Sequence, residues 1–157
     1  MASDILQLVA TAVLGLLVGA LLAEGALLIP YWRSLPSATF YALHRVYGPR
    51  LYRFFAPLTM AAGVFVVAAS GASVWTGDSG RWATVVSCGV YGGVLATYGL
   101  YFRHANARFA AQSLTPDALE RELARWQRWH WVRVVLGVVA FLASLLGING
   151  TQILAPR

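Results

Sequence analysis

The chain has few charged residues, no lysine and a single cysteine. Charged residues make up 11% of the 157 positions, whereas hydrophobic residues make up 59%. Soluble domains carry about 25% charged residues, so this composition excludes an ordinary soluble core and favours an integral membrane protein. We attribute the use of arginine for every cationic side chain to a GC-rich genome. Cys88 has no second cysteine to pair with, which excludes an intramolecular disulfide.

Four hydrophobic runs are present, each near the roughly 20 residues that a helix needs to cross about 30 Å of hydrocarbon. We expect spans at about residues 5–30, 54–74, 82–102 and 131–150. The first run is too long for a signal peptide and has no basic segment before it, so we interpret it as a retained helix. No run alternates with period two, which argues against a barrel. The sequence predicts one all-α domain over residues 1–157, an integral membrane four-helix bundle.

The arginines are concentrated in two of the three connections between these runs. Residues 31–53 and 103–133 hold ten of the twelve. The positive-inside rule therefore predicts that both connections are cytoplasmic and that both termini face outward, in what we expect to be a bacterial inner membrane. The net charge of +6 reflects this topology. We expect membrane lipids and no nucleic acid as partners, because no recognition module accompanies the arginines, and homo-oligomerisation stays open.

Two connections contain segments with helical signals. A short amphipathic interfacial helix is predicted after the first span, from Pro36 to Tyr47, with Gly48 and Pro49 as its stop. The third connection begins a helix at Pro116 that leads directly into the fourth span. We therefore expect that last helix to project about 14 residues, or roughly 20 Å, into the cytoplasm.

A cluster of aromatic and basic residues opens the fourth span, in "RWQRWHWVR". Helical spacing of i, i+3, i+4 and i+7 places four of its side chains on one face: Trp126, Trp129, His130 and Arg133. Glu24 lies about 9 Å inside the first span by helical rise. A carboxylate at that depth is costly unless it is paired, so Glu24 is a functional candidate, and Arg133 or His130 is its expected partner.

Further polar side chains are predicted at the same end of the bundle. His44 shares the stripe of the short helix with Tyr41. His104 follows the third span, with Tyr101 on its face and Asn106 close by. All three histidines and the intramembrane acid are thus predicted at one end, although tryptophans there also serve as interfacial anchors.

These residues resemble those of the anthrone oxygenase-like family of small membrane proteins. The resemblance covers nearly the whole chain and rests on four features: "LLAEGALLIPYWRSLP" at the end of the first helix, "APL" at the start of the second, an asparagine after the third, and "RWQRWHWVR" in the fourth. The chain differs from the family after the third helix, where "FRHAN" stands in place of an Asn-x-Pro-like segment.

The resemblance implies oxidation of a flat, apolar, polycyclic aromatic substrate, such as an anthrone, by dioxygen to a quinone. No bound cofactor is implied, since the carbanion of such a carbon acid can itself pass an electron to dioxygen. In this reading His130 is the general base, Arg133 stabilises the oxyanion and Glu24 orients one of them. The substrate-binding residues are then Trp126, Trp129, His44, Tyr41, Tyr101 and Asn106.

Two other functions stay open at this point. Three imidazoles and a carboxylate are ligand types that iron, copper and zinc favour, so a membrane oxidoreductase with a transition metal held by His44, His104, His130 and Glu24 is one alternative. The spacing of these residues carries no metal-binding signature. The other alternative is a non-catalytic scaffold or accessory subunit, in which the arginine-rich helix docks a soluble partner.

Overall fold

The computed structural model describes residues 2–153, and within this range it contains helices joined by short turns and no strand. Two of the long helices are interrupted by a π-helical turn. The elements in chain order are α1 (Ala2–Ala23), π1 (Glu24–Leu28), α2 (Ile29–Arg33), α3 (Ser37–Thr76), α4 (Arg81–Thr97), π2 (Tyr98–Phe102), α5 (Arg103–Ala110) and α6 (Pro116–Ile153).

The helices form a four-helix bundle in which α1 and α4 each pack against both α3 and α6. Four helical stretches are long and apolar enough to cross a membrane: Ser3–Arg33, Ser37–Thr76, Arg81–Ala110 and Pro116–Ile148. Large apolar side chains point outward from them, and Leu16, Val64 and Leu146 are at least 60% exposed. The expected all-α fold is confirmed for the described residues. A soluble protein rarely exposes so many apolar side chains, and the fold is compatible with an integral membrane protein.

The predicted short interfacial helix is wrong as a separate element, because α3 runs without a break through Pro49 and Pro57. Its start directly after Pro36 is as predicted. Pro49 removes one backbone hydrogen bond, but it lies on an exposed side where the freed carbonyl can be solvated. Packing is present on both sides of Pro49, since His44 before it contacts Trp32 and Leu51 after it packs against buried residues of the same cluster. Sequence signals at Gly48 and Pro49 are local, and tertiary packing overrides them.

The last helix begins where its sequence predicts. α6 begins at Pro116 and continues for 38 residues. This is well above the roughly 20 residues that are needed to span a bilayer. The side chains of the predicted span at positions 149 and 150 lie outside the part of the chain whose side chains are described.

The bundle has two unlike ends. At one end α3 and α4 are joined by a short turn, where Gly77 adopts a φ of 70°, a conformation that suits glycine. The other end carries the α2–α3 and α5–α6 connections and most of the arginines, and we call it the arginine-rich end. A buried cluster of large aromatic side chains fills it: Trp32, Phe40, Phe102, Phe109 and Trp126. The candidate site lies against this cluster.

Candidate functional site

Glu24 is the first residue of a π-helical turn, and its side chain is buried in the bundle. The turn, Glu24–Leu28, lies just before Pro30, which has no N–H and whose ring crowds the preceding turn of a regular helix. Widening of the helix to a π-turn relieves this conflict. Glu24 and Gly25, the first two residues of this turn, are both buried. π-Turns inside α-helices are frequent at functional sites.

His130 is the most deeply buried polar side chain at this end, with 0% exposure. Its Nε2 lies 2.8 Å from the Leu21 carbonyl oxygen, and its Nδ1 lies 3.0 Å from an Arg133 nitrogen. A guanidinium group only donates hydrogen bonds, so Nδ1 must accept. The proton is therefore on Nε2, which donates to Leu21, and the basic lone pair of the imidazole faces Arg133.

Arg133 links the histidine to the carboxylate. The same nitrogen of Arg133 that contacts His130 lies 3.3 Å from Glu24 Oε2, and Glu24 Oε2 lies 3.7 Å from His130 Nδ1. The expected contact between Glu24 and Arg133 is thus present, between the first and last helices. The guanidinium carbon also lies 4.4 Å from the centre of the Phe102 ring, a cation–π distance. An imidazole, a carboxyl group and a guanidinium group are thus held together, with side-chain exposures of 0%, 7% and 16%.

The Trp126 ring covers one side of the group formed by His130, Arg133 and Glu24. It stacks on His130 with centroids 5.4 Å apart and planes 14° apart. Its indole N–H donates to Asn106 Oδ1 at 3.1 Å. Phe102 meets the same ring edge-on at 5.3 Å. The structure therefore brings Trp126 and Asn106 to the site and makes Asn106 the group that orients the tryptophan.

A second set of contacts holds the Trp129 ring in place. Trp129 stacks on Tyr101, with centroids 5.3 Å apart and planes 6° apart. The Tyr101 hydroxyl donates to Glu122 Oε1 at 2.7 Å, and Arg108 forms an ion pair with the same oxygen at 2.8 Å. Glu122 is thus a buried acid that lies outside the site and, through Tyr101, holds the stacked pair of Tyr101 and Trp129 in place.

Sequence reasoning missed several contributors. Glu122 precedes Trp126 by one helical turn on the stripe that continues to His130, a signal that was available in the spacing. Trp32, Phe102 and the Leu21 carbonyl carry no comparable local signal. They come from other helices and are brought to α6 by packing.

The other two histidines do not join His130. His44 packs among Trp32, Phe40 and Phe109, at centroid distances of 5.4 to 5.9 Å. His104 is exposed on α5. Tyr41 donates to the Leu114 carbonyl and so ties α3 to the α5–α6 connection. Within residues 2–153 no three His, Cys, Asp or Glu side chains are grouped as metal ligands, so the four residues of the metal alternative are not assembled.

Gly25 is required by the close approach of His130 to the first helix. A Cβ atom at this position would lie 3.0 Å from His130 Nε2 and 3.1 Å from its Cδ2. We expect Gly25→Ala to displace the ring from Leu21 and to lower the free energy of unfolding by about 1 to 3 kcal/mol. Gly89→Ala is the matched control, because a Cβ there meets nothing within 4 Å. Equal unfolding midpoints for the two variants in one detergent would contradict this interpretation.

Comparisons of the chain with protein-family models, with curated proteins and with solved structures found no match.

Proposed function

We propose that this protein is a membrane-bound oxygenase that converts a flat, apolar, anthrone-like carbon acid to a quinone with dioxygen and without a resident cofactor. The observation that carries the proposal is the buried group of His130, Arg133 and Glu24, which sets a neutral imidazole beside a guanidinium cation in an aromatic surround. Carbanion formation requires both a base and a positive charge for the developing oxyanion.

A groove between α1 and α6 supports an apolar substrate that arrives from the bilayer. Its volume of about 630 Å³ lies within the range of roughly 300 to 1,000 Å³ for small-molecule sites. The lining follows one stripe of each helix: Leu8, Ala12, Leu16 and Ala20 on α1, and Phe141 and Leu145 on α6. The next position of the α1 stripe is Glu24, and two steps back along the α6 stripe is Arg133. The groove therefore lies on the same two helices as the polar group, with Ala20 four residues before Glu24 and Phe141 eight residues after Arg133.

The proposed reaction consumes one dioxygen for each carbonyl formed. The substrate methylene loses a proton to His130 Nδ1, and the resulting carbanion passes one electron to dioxygen. The substrate radical and superoxide then combine through a new C–O bond, and the proton returns to give a hydroperoxide. Loss of the second C–H proton with cleavage of the O–O bond gives the carbonyl and water. One oxygen atom enters the quinone and the other leaves as water.

Within the proposed scheme Arg133 has a specific task. Its guanidinium group occupies the lone pair of His130 Nδ1, so it must release that nitrogen before the imidazole can accept a proton. The substrate oxyanion is the group that would draw it away. Glu24 keeps Arg133 within reach of both positions, which makes the carboxylate a positioning residue.

The test uses the purified chain in a nonionic detergent with a simple anthrone. Oxygen uptake and quinone absorbance should rise together, in equal amounts and above the rate in detergent alone, and EDTA should leave both unchanged. Inhibition by EDTA would instead favour the metal alternative. The scaffold alternative has support from an exposed arginine face on α6, at positions 121, 125 and 128. It would be favoured if no oxidation occurs and an Arg125→Ala, Arg128→Ala variant loses a bound partner.

The orientation in the membrane is part of the proposal. Because most arginines flank the α2–α3 and α5–α6 connections, we expect the arginine-rich end to face the cytoplasm of a bacterial cell and both termini to lie outside. The terminal positions 1 and 154–157 lie outside the described residues. An alkaline phosphatase fused to the C-terminus should be active, since it folds only outside the cytoplasm. Fluorescence of a C-terminal fusion protein that matures only in the cytoplasm would reverse this topology.

A further inference from the structure

The outward face of α6 changes from cationic to apolar within about one helical turn. Spacings of three and four residues place eight exposed side chains in one row along the helix: Arg121, Arg125, Arg128, Val132, Val135, Val139, Leu142 and Leu146. The five apolar members of the row are 44 to 63% exposed. In a membrane, hydrocarbon would cover the apolar part of the row, and its edge would fall between Arg128 and Val132, which are about 6 Å apart by helical rise.

A second helix brings another arginine to this face. Arg33, the exposed last residue of α2, donates a hydrogen bond to the side chain of Gln127, the residue before Arg128. One turn after Gln127, on the apolar side, the Trp131 side chain is 38% exposed. Arginines above an exposed tryptophan are typical of the boundary between the hydrocarbon and the lipid headgroups.

Four exposed arginines thus form what we call the cationic face: Arg33, Arg121, Arg125 and Arg128. They differ from two more buried arginines at the same end, which each pair with an acid. Arg108 pairs with Glu122, and Arg133 pairs with Glu24. Among the described residues no member of the cationic face forms an ion pair.

The two other acids at this end do not neutralise the cationic face. Asp117 and Glu120 are exposed near the start of α6, and both precede Arg121. They therefore lie farther from the apolar part of the row than any arginine of this helix. The part of the chain that the structure describes supplies no counter-charge for Arg125 and Arg128, the two arginines nearest the apolar row.

We propose that the cationic face binds an anionic phospholipid. The phosphodiester of a lipid lies at the edge of the hydrocarbon, the level of Arg128, and a guanidinium group can donate two parallel hydrogen bonds to a phosphate. The acyl chains then lie along the row from Val132 to Leu146, which is about 21 Å long by helical rise.

The apolar part of the row favours a lipid over a soluble acidic protein. A soluble partner would contact the arginines but would leave the adjoining valines and leucines uncovered, whereas one lipid molecule covers both parts. Anionic lipids attract arginines close to the membrane surface in the same way. Binding of the lipid does not depend on the proposed oxidation, because no member of the cationic face belongs to the group of His130, Arg133 and Glu24.

Native mass spectrometry of the full chain in an uncharged detergent tests the proposal. Phosphatidylglycerol and phosphatidylcholine with identical acyl chains are added in equal amounts, and the wild type should retain phosphatidylglycerol in preference. Arg125→Gln, Arg128→Gln should lower its retention by about fivefold for each arginine, or roughly 30-fold for the pair, as expected from about 1 kcal/mol per arginine at an anionic surface. Both side chains are exposed, so the double variant should keep the unfolding midpoint of the wild type.

Arg45→Gln, Arg50→Gln is the matched control, since it removes two exposed arginines from the same end of the bundle. These residues are five positions apart on α3 and so lie on different sides of that helix. The control should retain phosphatidylglycerol like the wild type. An equal loss in the control, or equal retention of the two lipids by the wild type, would reduce the binding to general charge attraction and overturn the proposal.

Two further outcomes would also overturn it. Unchanged retention in Arg125→Gln, Arg128→Gln would leave the cationic face to the soluble partner of the scaffold alternative. An excess of glycerol phosphate should not displace phosphatidylglycerol, because it has no acyl chains to cover the apolar row. Displacement would show that the face binds a free phosphate compound and not a lipid.

Discussion

His130→Gln should lower the turnover of an anthrone-like substrate by roughly 10²- to 10⁴-fold, the contribution of a general base. Glutamine is chosen because its amide can still donate to the Leu21 carbonyl, as Nε2 of His130 does, but it has no basic nitrogen. Substrate affinity should change little, since the Trp126 ring that stacks on His130 keeps its hydrogen bond to Asn106. Oxygen uptake over a range of substrate concentrations separates the two effects.

The control for this prediction is His104→Ala. His104 is exposed on α5, and the cofactor-free mechanism gives it no role. Its replacement should leave turnover at the wild-type level. Full activity in the His130→Gln protein would remove the general-base mechanism. A loss of activity in His104→Ala comparable with that in His130→Gln would point to the metal alternative, which needs both imidazoles.

Arg133→Gln should lower the free energy of unfolding by about 3 to 5 kcal/mol, because it leaves the buried carboxylate of Glu24 without its cation. Glu24 is 8% exposed and Arg133 is its ion-pair partner at 3.3 Å. The double variant Glu24→Gln, Arg133→Gln should lose less than the sum of the single variants, with a coupling of about 0.5 to 3 kcal/mol. Unfolding in mixed micelles of increasing SDS content measures all four proteins.

Arg128→Gln is the matched control for the ion-pair cycle. It lies on the same helix but is exposed, so its effect should stay within about 0.5 kcal/mol. Strict additivity of the Glu24 and Arg133 variants would show that the two groups do not stabilise each other across α1 and α6. The same cycle also separates folding from chemistry, since Arg133→Gln should impair oxidation even under conditions in which the variant is folded.

Much of the fold follows from local patterns. Four apolar runs of bilayer length predict four helices, because an apolar segment must satisfy its own backbone hydrogen bonds in hydrocarbon and a helix does so within itself. The stripe from Trp126 to Arg133 follows from the 3.6-residue period. The contact between Glu24 and Arg133 was predictable for a similar reason, since an acid at that depth requires a cation and few were within reach.

The positions of the remaining site residues depend on contacts between distant parts of the chain. His44 and His104 were predicted at the site because imidazole is a common catalytic and ligand group. His44 instead packs in an aromatic cluster and His104 is exposed, because helix rotation and packing decide which face turns inward. The continuation of α3 through Pro49 likewise depends on packing, because His44 before it and Leu51 after it both contact buried residues.

The sequence by itself determined the number of helices, the stripe that faces inward on α6 and the need for a partner at Glu24, because each depends on spacing and polarity within one segment. Only the tertiary structure decided that the Leu21 carbonyl holds Nε2 of His130 and that its basic nitrogen faces Arg133. A backbone carbonyl has no sequence signature, and it becomes a specific acceptor only where two helices meet. The π-turn after Ala23 and the missing side chain of Gly25 bring the first helix that close to α6, so the chemical state of the histidine is set by packing.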